Sequence, residues 1–430
     1  MRRVAVSAIG VVSPLGNSAA ELYRQAHAGR SGIQRLERPF AHRLTAPLAA
    51  TAQIDGALHF DPPQLRMLDR FSLMALLAAR QAIDAAQAAD LLRSDRFDRQ
   101  RAGVFIGTGM GGSQSMDEGY QALYGAHSNH DHDRDRDSDR DHARDRIKPF
   151  TVLMGMHNAA AAWIGIEHGF TGPNLTYSTA CSSSAVAIGE AWLRVAGGQL
   201  DMAMAGGAEA PLSFGSLKAW EALHTLARID DTEPSASCKP FSLDRSGMVL
   251  GEGAVMLLLE PWAQALERGA PLIGEIIGYG ATNEASHITR PGVDGQAAAM
   301  RAALRSAGLA PEAIDAINAH GTGTQANDAT ETAAIKAVFG ARASRIPVSA
   351  TKSMHGHLLG AAGALECALS LLAMQHGTLL PTMHLRQPDP LCDLDCVPNA
   401  ARDGVAVRTM LSNSFAFGGS NAVLALRAAT

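Results

Sequence analysis

The sequence predicts an α/β fold with a parallel-rich sheet, laid out as two similar halves. Three observations carry this. Short β-prone apolar runs alternate with stretches of helical apolar spacing, small residues follow the ends of the strand-like runs, and the pattern starts again from Ile273. A chain of 430 residues is long enough for a large core or two fused units. Pro261 and the stretch 264–269 mark a junction, which divides the chain into 1–262 and 263–430.

The first run, Val4 to Val12, reads as a buried strand. It follows two arginines as a secretion signal would, but it stops at Ser13-Pro14. Residues Gly10 to Ser18 form a turn that caps a helix over Ala19–Ala28. Residues 64–86 read as one long apolar helix through Leu68, Phe71, Leu76 and Ile83. Val104–Ile106 is a buried strand running into Gly107-Thr-Gly-Met-Gly-Gly112. That cluster lacks the Lys-Ser/Thr of a P-loop and the spacing of a dinucleotide fingerprint, so close backbone packing is favoured over nucleotide binding. Residues 127–148 alternate His, Asp and Arg. A mixed-charge repeat cannot build the fixed frame that a metal site needs, and a solvated, disordered insertion is expected. Met202–Glu209 reads as another strand. The second half then predicts a helix at Ala298–Ala307, a strand at Ile314–Ala319 and a helix at Asp328–Phe339 with Asp328 and Glu331 as its capping box. A strand at Ile346–Ala350, a helix at Leu358–His376 and a strand at Val423–Leu426 complete it.

A formal charge of −5 gives no electrostatic reason to expect nucleic acid or an anionic membrane as partner. Five scattered cysteines, an odd number, fit a reducing compartment better than a disulfide framework. No apolar run approaches the length of a membrane span. The expectation is a soluble cytoplasmic protein.

Chemistry gathers where strands end. Cys181 lies in Ser178-Thr-Ala-Cys-Ser-Ser-Ser184, between β-prone residues and a helix whose apolar positions fall at Ala185, Ile188, Trp192 and Val195. The positive end of that helix would favour a thiolate, and nearby N–H groups could hold an oxyanion. A buried, inert thiol is the alternative. His320 occupies the Gly/Thr loop His320-Gly-Thr-Gly-Thr324. Lys352, His355 and His357 bracket a turn before a small-residue helix, on which Glu366 could neutralise Lys352. A non-catalytic role is favoured for His355. Phe415 and Phe417, set among glycines, either pack in the core or gate an acyl pocket. Cys, His, Lys and His together point to nucleophilic acyl chemistry.

These segments, in this order, resemble the β-ketoacyl-acyl-carrier-protein synthase family of the elongating Cys-His-His type, near ketoacyl-ACP synthase II and type II polyketide ketosynthases. The motifs that carry the resemblance also include Ala205-Gly-Gly-Ala-Glu209, Phe241-Ser-Leu-Asp-Arg-Ser-Gly247, Lys352-Ser-Met-His-Gly-His357 and Asn413-Ser-Phe-Ala-Phe-Gly-Gly-Ser-Asn421. The resemblance implies a thiolase-like fold, two similar α/β halves in five α-β-α-β-α layers, with the nucleophile in 1–262 and the His and Lys residues in 263–430. It implies decarboxylative Claisen condensation of malonyl-ACP with an acyl chain on Cys181, which lengthens a fatty-acid, polyene or polyketide chain by two carbons. His320 and His357 match the enolate-stabilising histidines, Lys352 the family lysine and Glu366 its partner. Thr322 and Thr324 match contacts to the phosphopantetheine arm, Phe417 the gating phenylalanine and Met110 the acyl-pocket lining, with Thr289 and Phe415 as further substrate-binding positions. The N–H groups of Cys181 and Phe417 would form the oxyanion hole. No external cofactor is implied, because substrates ride on the phosphopantetheine of acyl carrier protein. The implied partners are that carrier and a second copy in a homodimer, with a chain-length-factor-like subunit as the alternative. Two departures stand out: Ala416 replaces a usual glycine, and Arg66 and Arg70 only partly retain the basic face expected to meet the carrier. A thiolase or a non-condensing partner subunit fits less well, given His357 and the intact Cys181.

Overall fold

The structure, a computed structural model, describes residues 1–94, 97–128 and 147–429. Most of the charged stretch at 127–148 therefore lies outside the described residues. The strands in chain order are β1 (Val4–Val12), β2 (Ile33–Arg35), β3 (Leu48–Ala50), β4 (Ala102–Gly107), β5 (Asn174–Tyr177), β6 (Met202–Glu209) and β7 (Gly253–Pro261). The second half continues with β8 (Gly274–Asn283), β9 (Ala316–Asn318), β10 (Val348–Ser349), β11 (Thr378–Leu379), β12 (Arg402–Asp403), β13 (Thr409–Phe415) and β14 (Ser420–Ala428).

Ten of these form one sheet in the order β10-β9-β13-β14-β8-β1-β7-β6-β4-β5. Read outward from the β1–β8 seam, the halves are β1-β7-β6-β4-β5 and β8-β14-β13-β9-β10, with the same connectivity. In each, the first two pairings are antiparallel and the last two parallel. The two similar halves expected from the sequence are thus plain in the topology. The sheet is mixed and not parallel-rich. A reason is visible at 416–419, where a four-residue turn joins β13 to β14 and permits only an antiparallel hairpin.

Alternation along the strands explains the layers. On β7, Val255, Leu257 and Leu259 enter a central core, while Ala254, Met256 and Leu258 enter an outer one. On β14, Ala422, Leu424 and Leu426 face the central core, and Val423 and Ala425 the opposite outer core. A strand with both faces buried reads as a continuous apolar run, which is how these appear in the sequence. The central core holds the helices Ser183–Ala196 and Ala362–His376. Helices Arg70–Ala85 and Ala159–His168 cover one outer face, and Val293–Ala307 and Gln325–Phe339 the other. The result is the expected five-layered α-β-α-β-α arrangement. β1 crosses this scheme at a bulge between Val6 and Ala8. Val4 and Val6 face the centre before it, Ile9 and Val11 after it.

Three local expectations fail for identifiable reasons. The single helix over 64–86 is two, Pro62–Leu65 and Arg70–Ala85, because Asp69 caps the second by accepting the Phe71 N–H at 3.0 Å. The helix expected at Asp328 begins at Gln325 and is capped by Thr324, whose hydroxyl accepts the Asn327 N–H at 3.2 Å. Asp328 and Glu331 are therefore not a capping box; both are drawn into other contacts. Arg70 does not present a basic surface either, since its guanidinium reaches Glu252 at 2.6 and 2.8 Å and the Ala52 carbonyl at 2.7 Å.

Candidate active site

Cys181 sits on a turn, Ala180–Ser182, immediately before the helix Ser183–Ala196. Ala180 takes φ +50°, a left-handed conformation that costs a non-glycine residue on the order of 1 kcal/mol. The serines around it brace this turn. Ser183 Oγ donates to the Ala180 carbonyl at 2.6 Å and accepts the Thr179 N–H at 2.9 Å, and Ser182 Oγ donates to the Thr179 carbonyl at 2.9 Å. Ser184 Oγ accepts the Ala364 N–H at 2.9 Å, which ties the nucleophile's helix to the start of the helix Ala362–His376. Small residues allow that approach: a Cβ on Gly363 would lie 2.9 Å from Ala185 Cβ, and one on Gly107 only 2.2 Å from the Ser184 amide. The glycines at 107–112 thus serve close packing, as read from the sequence.

His320 follows β9 and His357 follows the short helix Lys352–His355. The rings meet edge to face with centroids 5.4 Å apart, and a nitrogen of each lies with Cys181 Sγ in a triangle no more than 4.8 Å across. Lys352 Nζ lies 2.6 Å from the His320 carbonyl oxygen and 3.3 Å from His320 Nδ1, and it pairs with Glu366. An ammonium beside Nδ1 makes that nitrogen the acceptor and puts the ring proton on Nε2. In His357, Nδ1 accepts the Leu359 N–H at 3.2 Å, so its proton is also on Nε2, which has no protein partner among the described residues. Burial, reinforced by Lys352, holds both histidines neutral, well below the usual imidazole range. Each ring therefore carries a single N–H donor, and one nitrogen of each lies beside the sulfur.

The thiol departs from expectation. Burial pushes Cys181 up to about 12; Lys352 and the Phe417 N–H oppose the rise without overcoming it. Burial thus opposes the thiolate that the helix N-terminus would favour. The Phe417 N–H is nonetheless directed at the sulfur, as an oxyanion donor beside the nucleophile must be.

Cys181, His320 and His357 line a cleft of about 860 Å³ together with Thr322, Thr324, Thr289, Phe415, Ala416 and Phe417. Thr322 and Thr324 share a hydroxyl contact at 2.8 Å, and Thr289 is exposed. Phe415 is buried with its ring 6.1 Å from His320, and Phe417 stacks on Trp220 at 6.2 Å. Met110 lies outside the cleft lining and joins Cys181, Leu212, Leu217, Leu250 and Leu359 in an apolar cluster behind the sulfur. His355 hydrogen-bonds Thr351 at 3.0 Å and does not line the cleft.

Glu209 was not read as a site residue. It ends β6 fully buried and accepts the N–H groups of Gly109 at 2.6 Å, Met110 at 2.9 Å and Gly360 at 2.8 Å, and the Thr108 hydroxyl at 3.2 Å. It joins the glycine cluster to the loop after His357, and burial raises it to about 7. Glu331 was missed in the same way. It seats the His320 turn by accepting the N–H groups of His320 at 2.8 Å and Gly321 at 2.9 Å, and is held by Asn413 at 3.1 Å. The available signal was position, since Glu209 stands at a strand end.

Comparison with known proteins agrees with this geometry. The family model for the N-terminal domain of β-ketoacyl synthase matches residues 1–265, and that for the C-terminal domain matches 273–386. The chain is 42% identical to Nodulation protein E of Rhizobium sp. (strain N33), over 99% of both chains. It is 39% identical to 3-oxoacyl-[acyl-carrier-protein] synthase 2 of Coxiella burnetii, over 99% of this chain and 98% of that one. Among solved structures, a type II PKS acyl-carrier protein in complex with its ketosynthase superposes with a TM-score of 0.89 at 31% identity, and a β-ketoacyl synthase from Burkholderia phymatum with 0.87 at 31%, each over the whole of both chains. A buried cysteine with two neutral imidazoles lining one cleft, on this fold and with these relatives, makes the chain a member of the β-ketoacyl synthase family, the condensing acyltransferases that elongate carrier-bound acyl chains.

Proposed function

We propose that Cys181 is the acyl carrier of the reaction and that His320 and His357 serve the condensing half. The observation that carries this is the triangle of Sγ and two imidazole nitrogens, with both ring protons on Nε2. In the first half-reaction the Cys181 sulfur attacks the acyl-ACP thioester. The carbonyl oxygen is held by the N–H groups of Cys181 and Phe417, and the carrier leaves as its thiol with the proton that Cys181 gives up. Malonyl-ACP then enters, with its thioester oxygen against the two Nε2–H groups. Cleavage of its C–CO₂ bond leaves the electron pair on the α-carbon as an enolate, which those donors stabilise. That carbon attacks the Cys181 thioester, forming the new C–C bond and breaking the C–S bond, so that Cys181 leaves as the thiolate and takes a proton from water to restore the thiol. Loss of carbon dioxide generates the carbanion, so the reaction uses no external cofactor.

Lys352, anchored by Glu366, holds His320 in its donor tautomer and acts through it. Thr322, Thr324 and Thr289 accompany the pantetheine arm, Phe415 and Phe417 guard the sulfur, and Met110 borders the acyl chain. Residues 1–262 carry the nucleophile and 263–430 the proton donors. The setting is cytoplasmic. The product class is a fatty acid, polyene or other polyketide. Among the described residues, β5 is an unpaired sheet edge that carries the exposed Leu175, which favours a second copy pairing there.

The test is intact-protein mass spectrometry with a panel of acyl-ACPs followed by malonyl-ACP. An acyl adduct on Cys181, then β-ketoacyl-ACP two carbons longer, is expected. A folded protein that takes no adduct from any competent carrier would overturn the assignment.

A further inference from the structure

Gln296 stands in the first turn of the helix Val293–Ala307, is fully buried, and lines the cleft that leads to Cys181. The steps above give it no task. Its orientation is fixed by a chain of neighbours. Asn327 Nδ2 donates to Asp328 Oδ1 at 3.2 Å and to Glu331 Oε2 at 3.3 Å. These carboxyl groups already accept backbone N–H groups, from Phe241 and Gly321 respectively, so Asn327 must place its amide nitrogen toward them. Asn327 Oδ1 is thereby left to accept from Gln296 Nε2, at 3.5 Å. The Gln296 amide then cannot flip without setting two carbonyl oxygens against each other. Its Oε1 is a buried acceptor that meets no donor among the described residues.

An unpaired buried acceptor is unfavourable by about 1–3 kcal/mol, and this one belongs to a residue on the wall of an open cleft, in company with Thr322 and Thr324. The wall therefore calls for an N–H or O–H donor on whatever threads the cleft. A pantetheine arm carries secondary amides along its length, whereas an acyl chain offers no such donor. We propose that Gln296 is a substrate-positioning residue whose Oε1 accepts an amide N–H of the carrier's pantetheine arm. The assignment rests on the condensing reading given above. It also links two parts of the site: Glu331, which seats the His320 turn, orients Gln296 through Asn327 and so sets the depth at which the arm delivers its thioester to Cys181.

The experiment compares Cys181 acylation by octanoyl-pantetheine with acylation by the S-ethyl thioester of octanoic acid, which has no amide. Wild type and Gln296→Met are followed by intact mass. For the variant, kcat/KM with octanoyl-pantetheine should fall about tenfold, the equivalent of one hydrogen bond of about 1.4 kcal/mol, while the rate with the S-ethyl ester stays unchanged. Equal loss with both esters would overturn the proposal in favour of a purely architectural role, and so would no loss with either. Gln296→Ala gives the same comparison should the methionine variant misfold. A wild-type protein that no thioester acylates fails at the condensing reading itself, a result distinct from an acylated wild type whose Gln296 variants behave alike on both esters.

Discussion

Lys352 Nζ lies 2.6 Å from the carbonyl oxygen of His320 and 3.3 Å from Nδ1 of the same ring, so one ammonium fixes both the backbone turn and the tautomer of this histidine. The opposite side of that ammonium meets Glu366, and neither side chain reaches solvent. A buried pair of this kind is costly to break on one side only, because the survivor is left charged in a medium that cannot solvate it.

Lys352→Met should therefore lower stability by about 3–5 kcal/mol at pH 8, where Glu366 would otherwise be ionised. Burial already raises Glu366 to about 7, and loss of Lys352 raises it further. A carboxyl whose folded pKa exceeds its unfolded one retains its proton in the folded state, so stability falls as pH rises from the unfolded value toward the folded one. The deficit should thus be smaller at pH 6 than at pH 8, and Lys352→Met with Glu366→Gln should recover much of it without restoring condensation. Urea unfolding at the two pH values measures this. A deficit independent of pH would show that Glu366 is not the strained partner.

Cys181 should alkylate as a high-pKa thiol. Because burial pushes it up to about 12, its thiolate fraction rises tenfold per pH unit through the neutral range. The rate of iodoacetamide modification at Cys181, mapped by peptide mass spectrometry, should climb from pH 6 to pH 10 with no plateau. A plateau below pH 9 would mean that the helix end and Lys352 outweigh burial. The remaining four cysteines are also buried, with their thiols pushed up, which is why the mapping must be residue-specific.

Glu209→Gln should disturb both walls of the site. Glu209 presents both oxygens to donors, and an amide nitrogen in place of one oxygen would face an N–H group at hydrogen-bond distance. A loss of about 2 kcal/mol is expected, together with slower acylation of Cys181, because the 108–111 and 357–361 loops lose their common anchor. Thermal melts and single-turnover acylation report the two effects. An unchanged melting temperature would contradict the role given to this carboxylate.

Much of this was legible in the sequence because strand ends announce themselves. β1 was placed as an apolar run bounded by charge and proline, although its last three residues, Gly10 to Val12, were also read as the start of the turn that follows. Cys181, His320, Lys352 and His357 each follow a strand-like run and a cluster of small residues, and the structure brings them together. What failed did so where tertiary contacts decide. Asp328 and Glu331 have the spacing of a capping box, yet the distant Phe241, Arg245 and Asn413, with His320 from the loop before the helix, claim their oxygens. The state of the Cys181 thiol depends on desolvation, which a helix-end argument omits. The antiparallel members of the sheet escaped notice because a strand doubly buried between helices looks alike in either direction.

β5 pairs with β4 on one side and with no described strand on the other, its Leu175 is exposed, and the helix Ala159–His168 that packs against β5 exposes Ile166. An open edge with apolar side chains on it invites pairing, and a two-fold axis lets the same edge satisfy itself, β5 against β5, without leaving a new edge to propagate. Light scattering at micromolar concentration should therefore give twice the chain mass for wild type. Leu175→Lys places a charge on that seam and like charges opposite each other across the two-fold, so it should give the mass of a single chain with little change in melting of the isolated fold. A wild-type monomer would remove the second copy as the occupant of this edge. A dimer that survives Leu175→Lys would move the interface elsewhere, and a stable complex only with a different ketosynthase-like subunit would assign the edge to that partner.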